Sequence, residues 1–253
     1  VEENKMQPSK TYEEMEVEYK KIYEKRKNNP LAAFLYARSI NMKIRSGESK
    51  DRIDDAKTIK KILDEAILLN PENAVLQSFR SLIHESYYNI YGFKPLIQRG
   101  KNKEAVKNAV LLEPENHDVL YWSSKFYAAI GNAKKAAPLI EKAILIAPFG
   151  SDERKAFLCR VYLGGFDFEK AEETAKELII LGDKRSVFVG SMFMAFIEAK
   201  TNRLSQAKKT FQRILDSEQI TKQQAIAQFR KYFSDRDPYY SFEFYNVLES
   251  LKK

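Results

Sequence analysis

His117–Gly150 reads HDVLYWSSKFYAAIGNAKKAAPLIEKAILIAPFG, 34 residues that carry two apolar helical stretches, a glycine between them and a proline at the end. Apolar residues recur three and four positions apart on both sides of Gly131, which is the period of two amphipathic helices. The first helix, Asp118–Ile130, stops where Gly131 is free to take the left-handed conformation that closes a helix. The second, Ala133–Ala147, begins at once and stops at Pro148, which cannot continue a helix. Ala136 has no side chain beyond Cβ, and the residue expected to face it, Ser124, is small as well. Two helices bearing small residues at the crossing can approach closely, whereas large ones would wedge the pair open.

The same marks return downstream. Ser124, Cys159 and Ala195 succeed one another at intervals of 35 and 36, and across the turn Ala136, Ala171 and Ala207 keep the same intervals. Two independent positions in one phase are the sign of a repeated helix–turn–helix unit. Upstream, Asn70-Pro71-Glu72-Asn73 is echoed by Glu113-Pro114-Glu115-Asn116 at a spacing of 43, with Ala66 and Ala109 each five residues before the proline. The excess over 34 predicts a longer first helix or an enlarged loop near Tyr91–Gly100. A unit of this kind cannot cover its own apolar face, so it is stable only when stacked on its neighbours.

With the marks Tyr127, Gly131, Ala136, Ala143 and Pro148 in place, the chain resembles the tetratricopeptide repeat family over Leu31–Ser217. Leu120 and Lys155 stand where the family has a large aromatic near the start of the first helix. The resemblance implies an all-α fold, a right-handed superhelical array of antiparallel helix pairs (an α-solenoid), and a concave groove that holds a protein or peptide. Ala66–Pro71 and Ala109–Pro114 also resemble the repeat arrays of bacterial signalling proteins, namely membrane-linked winged-helix activators and class III nucleotide cyclases. That second resemblance implies a sensory or regulatory portion of a longer protein, and Val1 in place of Met is what a processed or excised segment would show.

The pattern predicts thirteen helices in three parts. Residues 1–30 hold an N-terminal capping helix, Tyr12–Lys27. Residues 31–217 form the array, as pairs Leu31–Arg45 with Ile53–Leu69, Ala74–Tyr91 with Pro95–Leu112, Asp118–Ile130 with Ala133–Ala147, Asp152–Leu163 with Phe168–Leu181, and Val187–Lys200 with Leu204–Leu215. Residues 218–253 supply C-terminal capping helices, Lys222–Phe233 and Tyr239–Leu251, because the end of a solenoid needs an atypical outer face.

Composition agrees with this class. Of 253 residues 44% are hydrophobic, and nine Gly and eight Pro are few for a β-rich chain with many tight turns. The formal charge of +8 would favour acidic peptides, phosphate backbones or anionic surfaces, although both signs are interspersed along the helical faces. No apolar run nears the length of a membrane span; Ala143–Ala147 is typical. A single cysteine, Cys159, excludes an intrachain disulfide, so cytoplasm and periplasm are equally compatible. Cys159 occupies the small-residue position of its repeat and is expected to be buried packing.

The residues that chemistry would need are missing. Two separated histidines, His84 and His117, and one cysteine give no metal-ligand spacing. No glycine-rich phosphate loop or serine elbow is present, and Gly164-Gly165 is expected to be a helix stop. An enzyme is not expected, nor a cofactor. Binding then falls to the inward side chains of the first helices. Counted from the packing marks these are Tyr121, Lys125 and Ala128, then Glu153, Ala156 and Arg160, then Val189, Met192 and Phe196. The mixed basic and apolar row suits an extended or helical peptide with carboxylates and apolar anchors. A clamp for a chaperone's C-terminal carboxylates is not expected, because Tyr121, Ala156 and Met192 stand where such repeats carry Lys and Asn. RNA is the alternative partner that the excess of Lys and Arg admits. On this reading Lys125→Ala weakens binding and leaves stability unchanged.

Overall fold

In the computed structural model residues 11–91, 95–148, 151–218 and 220–232 are described, and among them the chain forms thirteen helices and no strand. These are α1 (Tyr12–Lys25), α2 (Pro30–Ser46), α3 (Arg52–Leu69), α4 (Ala74–Ser86), α5 (Tyr88–Tyr91), α6 (Pro95–Leu112), α7 (His117–Ala129), α8 (Ala133–Ile146), α9 (Ser151–Gly164), α10 (Phe168–Ile180), α11 (Lys184–Lys200), α12 (Leu204–Glu218) and α13 (Lys222–Tyr232). Each packs mainly on its neighbours in sequence, and first helices also touch, α4 on α7 and α9 on α11. The chain is therefore an all-α solenoid of helix pairs. The expected helix Tyr239–Leu251 lies outside the described residues.

Short polar side chains start the helices. Asn29, Asp51, Asn73, Asn116, Asn132, Asp167 and Asp183 each accept a hydrogen bond from a backbone N–H of the first turn that no helical carbonyl can reach. The paired Pro-Glu-Asn segments thus act as a turn followed by a cap. Asn73 receives the Leu76 N–H at 2.9 Å, and Asn116 receives that of Asp118 at 2.9 Å.

The turns within the pairs repeat one geometry with different residues. In three successive units a backbone N–H closes on the carbonyl five residues earlier: Asn132 on Tyr127 at 2.8 Å, Asp167 on Tyr162 at 2.9 Å, and Arg203 on Glu198 at 2.8 Å. The residue just before each donor is left-handed: Gly131 at φ 76°, Phe166 at φ 60° and Asn202 at φ 62°. Gly131 behaves as its type demands. α9 ends at Gly164, so Gly164-Gly165 marks the helix stop that the sequence predicts, but the left-handed position falls on Phe166.

The small-residue positions meet across each turn. The Ser124 hydroxyl donates to the Ala136 carbonyl at 2.8 Å, and the Cys159 thiol donates to the Ala171 carbonyl at 3.4 Å. Both are buried, as are Ala195 and Ala207, and burial pushes the Cys159 thiol pKa up. Cys159 is packing, as expected. Farther along, α11 approaches α10 so closely that a Cβ on Gly190 would lie 2.7 Å from the Ala175 carbonyl oxygen.

The 43-residue interval has a local cause. The helix expected over Ala74–Tyr91 breaks after Ser86, Tyr87 turns inward, and α5 adds one turn before the long α6. Tyr87 holds the break by donating its hydroxyl to Asn41 Oδ1 at 2.8 Å, in the interior. Beside it, Phe34, Phe79 and Trp122 meet edge to face at 4.9–6.0 Å and tie α2, α4 and α7 into one wall.

Candidate functional site: the basic groove of the first helices

The solenoid brings one face of each inner helix to a common wall. A cavity of about 40 Å³ opens there, lined among others by Arg45 of α2, Tyr121 and Lys125 of α7, Glu153 and Arg160 of α9, and Arg185 and Val189 of α11. That volume has room for a small polar group or a few waters.

Lys125 is its centre. The side chain is half-buried and its ammonium lies over Tyr121 at 4.7 Å and over Trp122 and Phe157 at 5.6 Å each. Among the described residues nothing accepts a hydrogen bond from it; the ring faces and the charge of Glu153 hold it. Burial, together with the positive charges of Arg45, Arg160 and Arg38, lowers the Lys125 pKa well below 10.5 against the opposing pull of Glu153. Glu153 accepts from the Tyr121 hydroxyl at 3.1 Å. Its burial alone would raise the carboxyl, but Lys125 and the Tyr121 bond hold it below its ordinary value. Tyr121 is pushed up, first by burial and then by Glu153.

The electrostatic balance is one-sided. Arg38 packs over the Trp122 ring at 6.0 Å, one helical heptad before Arg45 on α2. Around Arg38, Arg45, Lys125, Arg160 and Arg185 the described acids of the cavity are Glu153 and Asp152, the latter 3.9 Å from Arg185. The wall therefore carries surplus positive charge beside a low-dielectric aromatic floor, where an anion gains more than it would in open water.

Of the nine residues expected to line the groove, six line this cavity: Tyr121, Lys125, Glu153, Ala156, Arg160 and Val189. Ala128 is half-buried against the apolar core instead. Met192 and Phe196 do not line this cavity: they are 0% and 3% exposed on α11, which packs between α10 and α12. Lys125, whose removal was expected to leave stability unchanged, covers three rings, so removing it disturbs packing. The sequence reading missed Arg45, Phe157 and Arg185. Arg185 could have been found by extending the row at Val189 back one helical turn; nothing local marks Arg45, which reaches the site through the stacking of α2 on α4 and α7.

Among the described residues no group of three or more His, Cys, Asp and Glu is placed to hold a metal ion, and no helix is long and apolar enough to cross a membrane. No family model matches the chain, and no curated protein matches it. Solved structures do. The human IFIT1 dimer with m7Gppp-AAAA superposes at a TM-score of 0.57 and 18% identity, over 95% of this chain and 55% of that one. The human IFIT1 dimer with PPP-AAAA gives 0.58 and 19% over the same shares. The likeness is one of fold. This chain spans about half the length of those neighbours, and the helical-repeat solenoid is what the two have in common.

Proposed function

We propose that the chain is a binding scaffold, not an enzyme, and that it holds an extended acidic polypeptide along the basic wall of its first helices. The observation that carries this reading is the row Arg38, Arg45, Lys125, Arg160 and Arg185, gathered from four separate inner helices, with Glu153 and Asp152 against it among the described residues. A run of acidic side chains laid across the helices meets these cations in succession. Membership of the tetratricopeptide family is part of the same proposal and rests on the repeat marks and the shared fold.

A second reading, single-stranded RNA, is favoured by one observation: the neighbours of this fold were solved with m7Gppp-AAAA and PPP-AAAA. Against it, the groove's rings are buried and already covered by Lys125 and Arg154, which leaves no open ring face for a base to stack on. Fluorescence titration with a polyglutamate-containing peptide and with oligo(A), each across a salt series, tests both. The first reading expects the peptide to bind and Arg160→Gln to weaken it. Tighter binding of oligo(A), falling steeply with salt, would replace it with the second.

A further inference from the structure

Lys125 is poorly placed to remain an ammonium. Its Nζ lies over the faces of Tyr121, Trp122 and Phe157, and among the described residues it makes no ion pair and donates no hydrogen bond. The ring faces attract a cation but offer it no acceptor. The charged groups that face it are Arg38 and Arg45 from α2 and Glu153 and Arg160 from α9, with Asp152 and Arg185 on the same cavity. Three of the first four are guanidiniums, which keep their charge whatever partners they have. The acid among them, Glu153, accepts the Tyr121 hydroxyl at 3.1 Å. An ammonium taken from water needs acceptors around it, and a neutral amine needs far less. Burial first, then Arg45, pulls Lys125 well below 10.5 against Glu153. A lysine desolvated beside other cations is a nucleophile at neutral pH.

We infer that Lys125 is a site of carbamate formation: its amine takes up carbon dioxide from solution and holds it in the cavity of about 40 Å³ that the side chain lines. The Nζ lone pair attacks the carbon of carbon dioxide, the N–C bond forms, one C=O electron pair passes to oxygen, and a proton leaves the nitrogen for water. Nothing is oxidised or reduced. No leaving group departs, so the step asks for no general acid. A space that holds a few waters also holds a triatomic molecule, and the ring faces beside it suit an apolar gas. The product is an anion on the very atom where the guanidiniums disfavour a cation, so the field that frees the amine also holds the carbamate. That selects carbon dioxide over an aldehyde, which must expel water and leaves no anion on the nitrogen's new carbon. The inference goes beyond the polypeptide reading and does not rest on it, since the four arginines of the row keep their charge in either state of Lys125.

The test uses the full chain in isotope-labelled bicarbonate equilibrated with carbon dioxide. A trialkyloxonium reagent converts any carbamate to a stable ester, and peptide mapping by mass spectrometry then places it. Lys125 is expected to carry the ester at least about 10-fold more often than the exposed Lys134, because a pKa lowered by one gives about ten times the free amine at neutral pH. Purging the carbon dioxide before the reagent is added should remove the label, since a carbamate reverts. Trp122, the single tryptophan of the chain, lies 5.6 Å from the Lys125 Nζ and reports on it independently. Its emission should change with carbon dioxide, at constant pH and ionic strength, in the parent protein and stay constant in Lys125→Arg, whose folding a thermal melt confirms. Labelling of Lys125 no greater than that of Lys134 overturns the site, whether or not the variant folds. Label that survives purging overturns carbon dioxide as its source. An equal Trp122 response in the parent and in a folded Lys125→Arg overturns the assignment to this lysine.

Discussion

The inner and outer helices of this array obey different rules. The inner helix α11 buries eleven of its residues, from Ser186 to Glu198, because it is covered by α10 on one side and α12 on the other and rests on α9 as well. Its partner α12 buries three, Ala207, Phe211 and Ile214, spaced along a single stripe. The contrast holds between α7, with eight, and α8, with Ala136, Ile140 and Ala143. A helix enclosed on several sides is apolar all round, while a helix with one covered face shows clear amphipathic periodicity. The outer helices are therefore easy to read from sequence and the inner ones are not, and the inner ones carry the groove.

The outer row has an oddity of its own. At matching places near the ends of α3, α6, α8 and α10 stand Leu68, Leu111, Leu145 and Ile180, between 69% and 82% exposed. Nothing in the packing explains an aliphatic residue at these four positions.

The comparison can be broken most directly where inner and outer helices are tightest. Gly190→Ala places a methyl 2.7 Å from the Ala175 carbonyl, against backbone that cannot move aside, and is expected to cost about 3 kcal/mol in chemical denaturation. A cost near zero would mean that α11 does not lie so close to α10. Ala136→Leu should separate α7 from α8 and cost about 2 kcal/mol, with loss of the Ser124 bond to that carbonyl.

Lys125 sharpens the contrast through pH. Its folded pKa lies below 10.5, so between the two values the unfolded chain holds the extra proton and stability rises with pH. Melting temperatures should therefore climb more in the parent protein than in Lys125→Met as the pH rises toward 10.5. Parallel curves would show that the ammonium is better solvated than its surroundings indicate.

Smaller effects are expected at the turns and on the outer row. Phe166 holds a left-handed φ of 60° with its ring largely in solvent. Phe166→Asn, the residue that the next unit uses at Asn202, should gain about 0.5–1 kcal/mol. Loss of stability would show that the Phe166–Phe168 ring contact at 6.5 Å outweighs the strain. Leu145→Lys, on the outer row, should change stability by less than about 0.5 kcal/mol by the same denaturant measurement. A larger change would reveal a partner for that residue in the folded chain.

The chain's own residues determined the unit. Ser124 with Ala136 and Cys159 with Ala171 predict where two helices cross, because a close crossing tolerates only small side chains, and both pairs are found in contact. Asn and Asp at the helix starts predict the caps for an equally local reason. What the stacking alone decided is which side of an all-apolar helix faces the groove: Met192 and Phe196 continue the inward row in sequence, yet the neighbours of α11 enclose them. Stacking also decided that Arg45, some eighty residues before Lys125, shares a cavity with it, and that Phe166, not a glycine, takes the left-handed turn. Local rules fix the form of one helix pair, but burial and charge at the wall depend on what the other pairs bring to it.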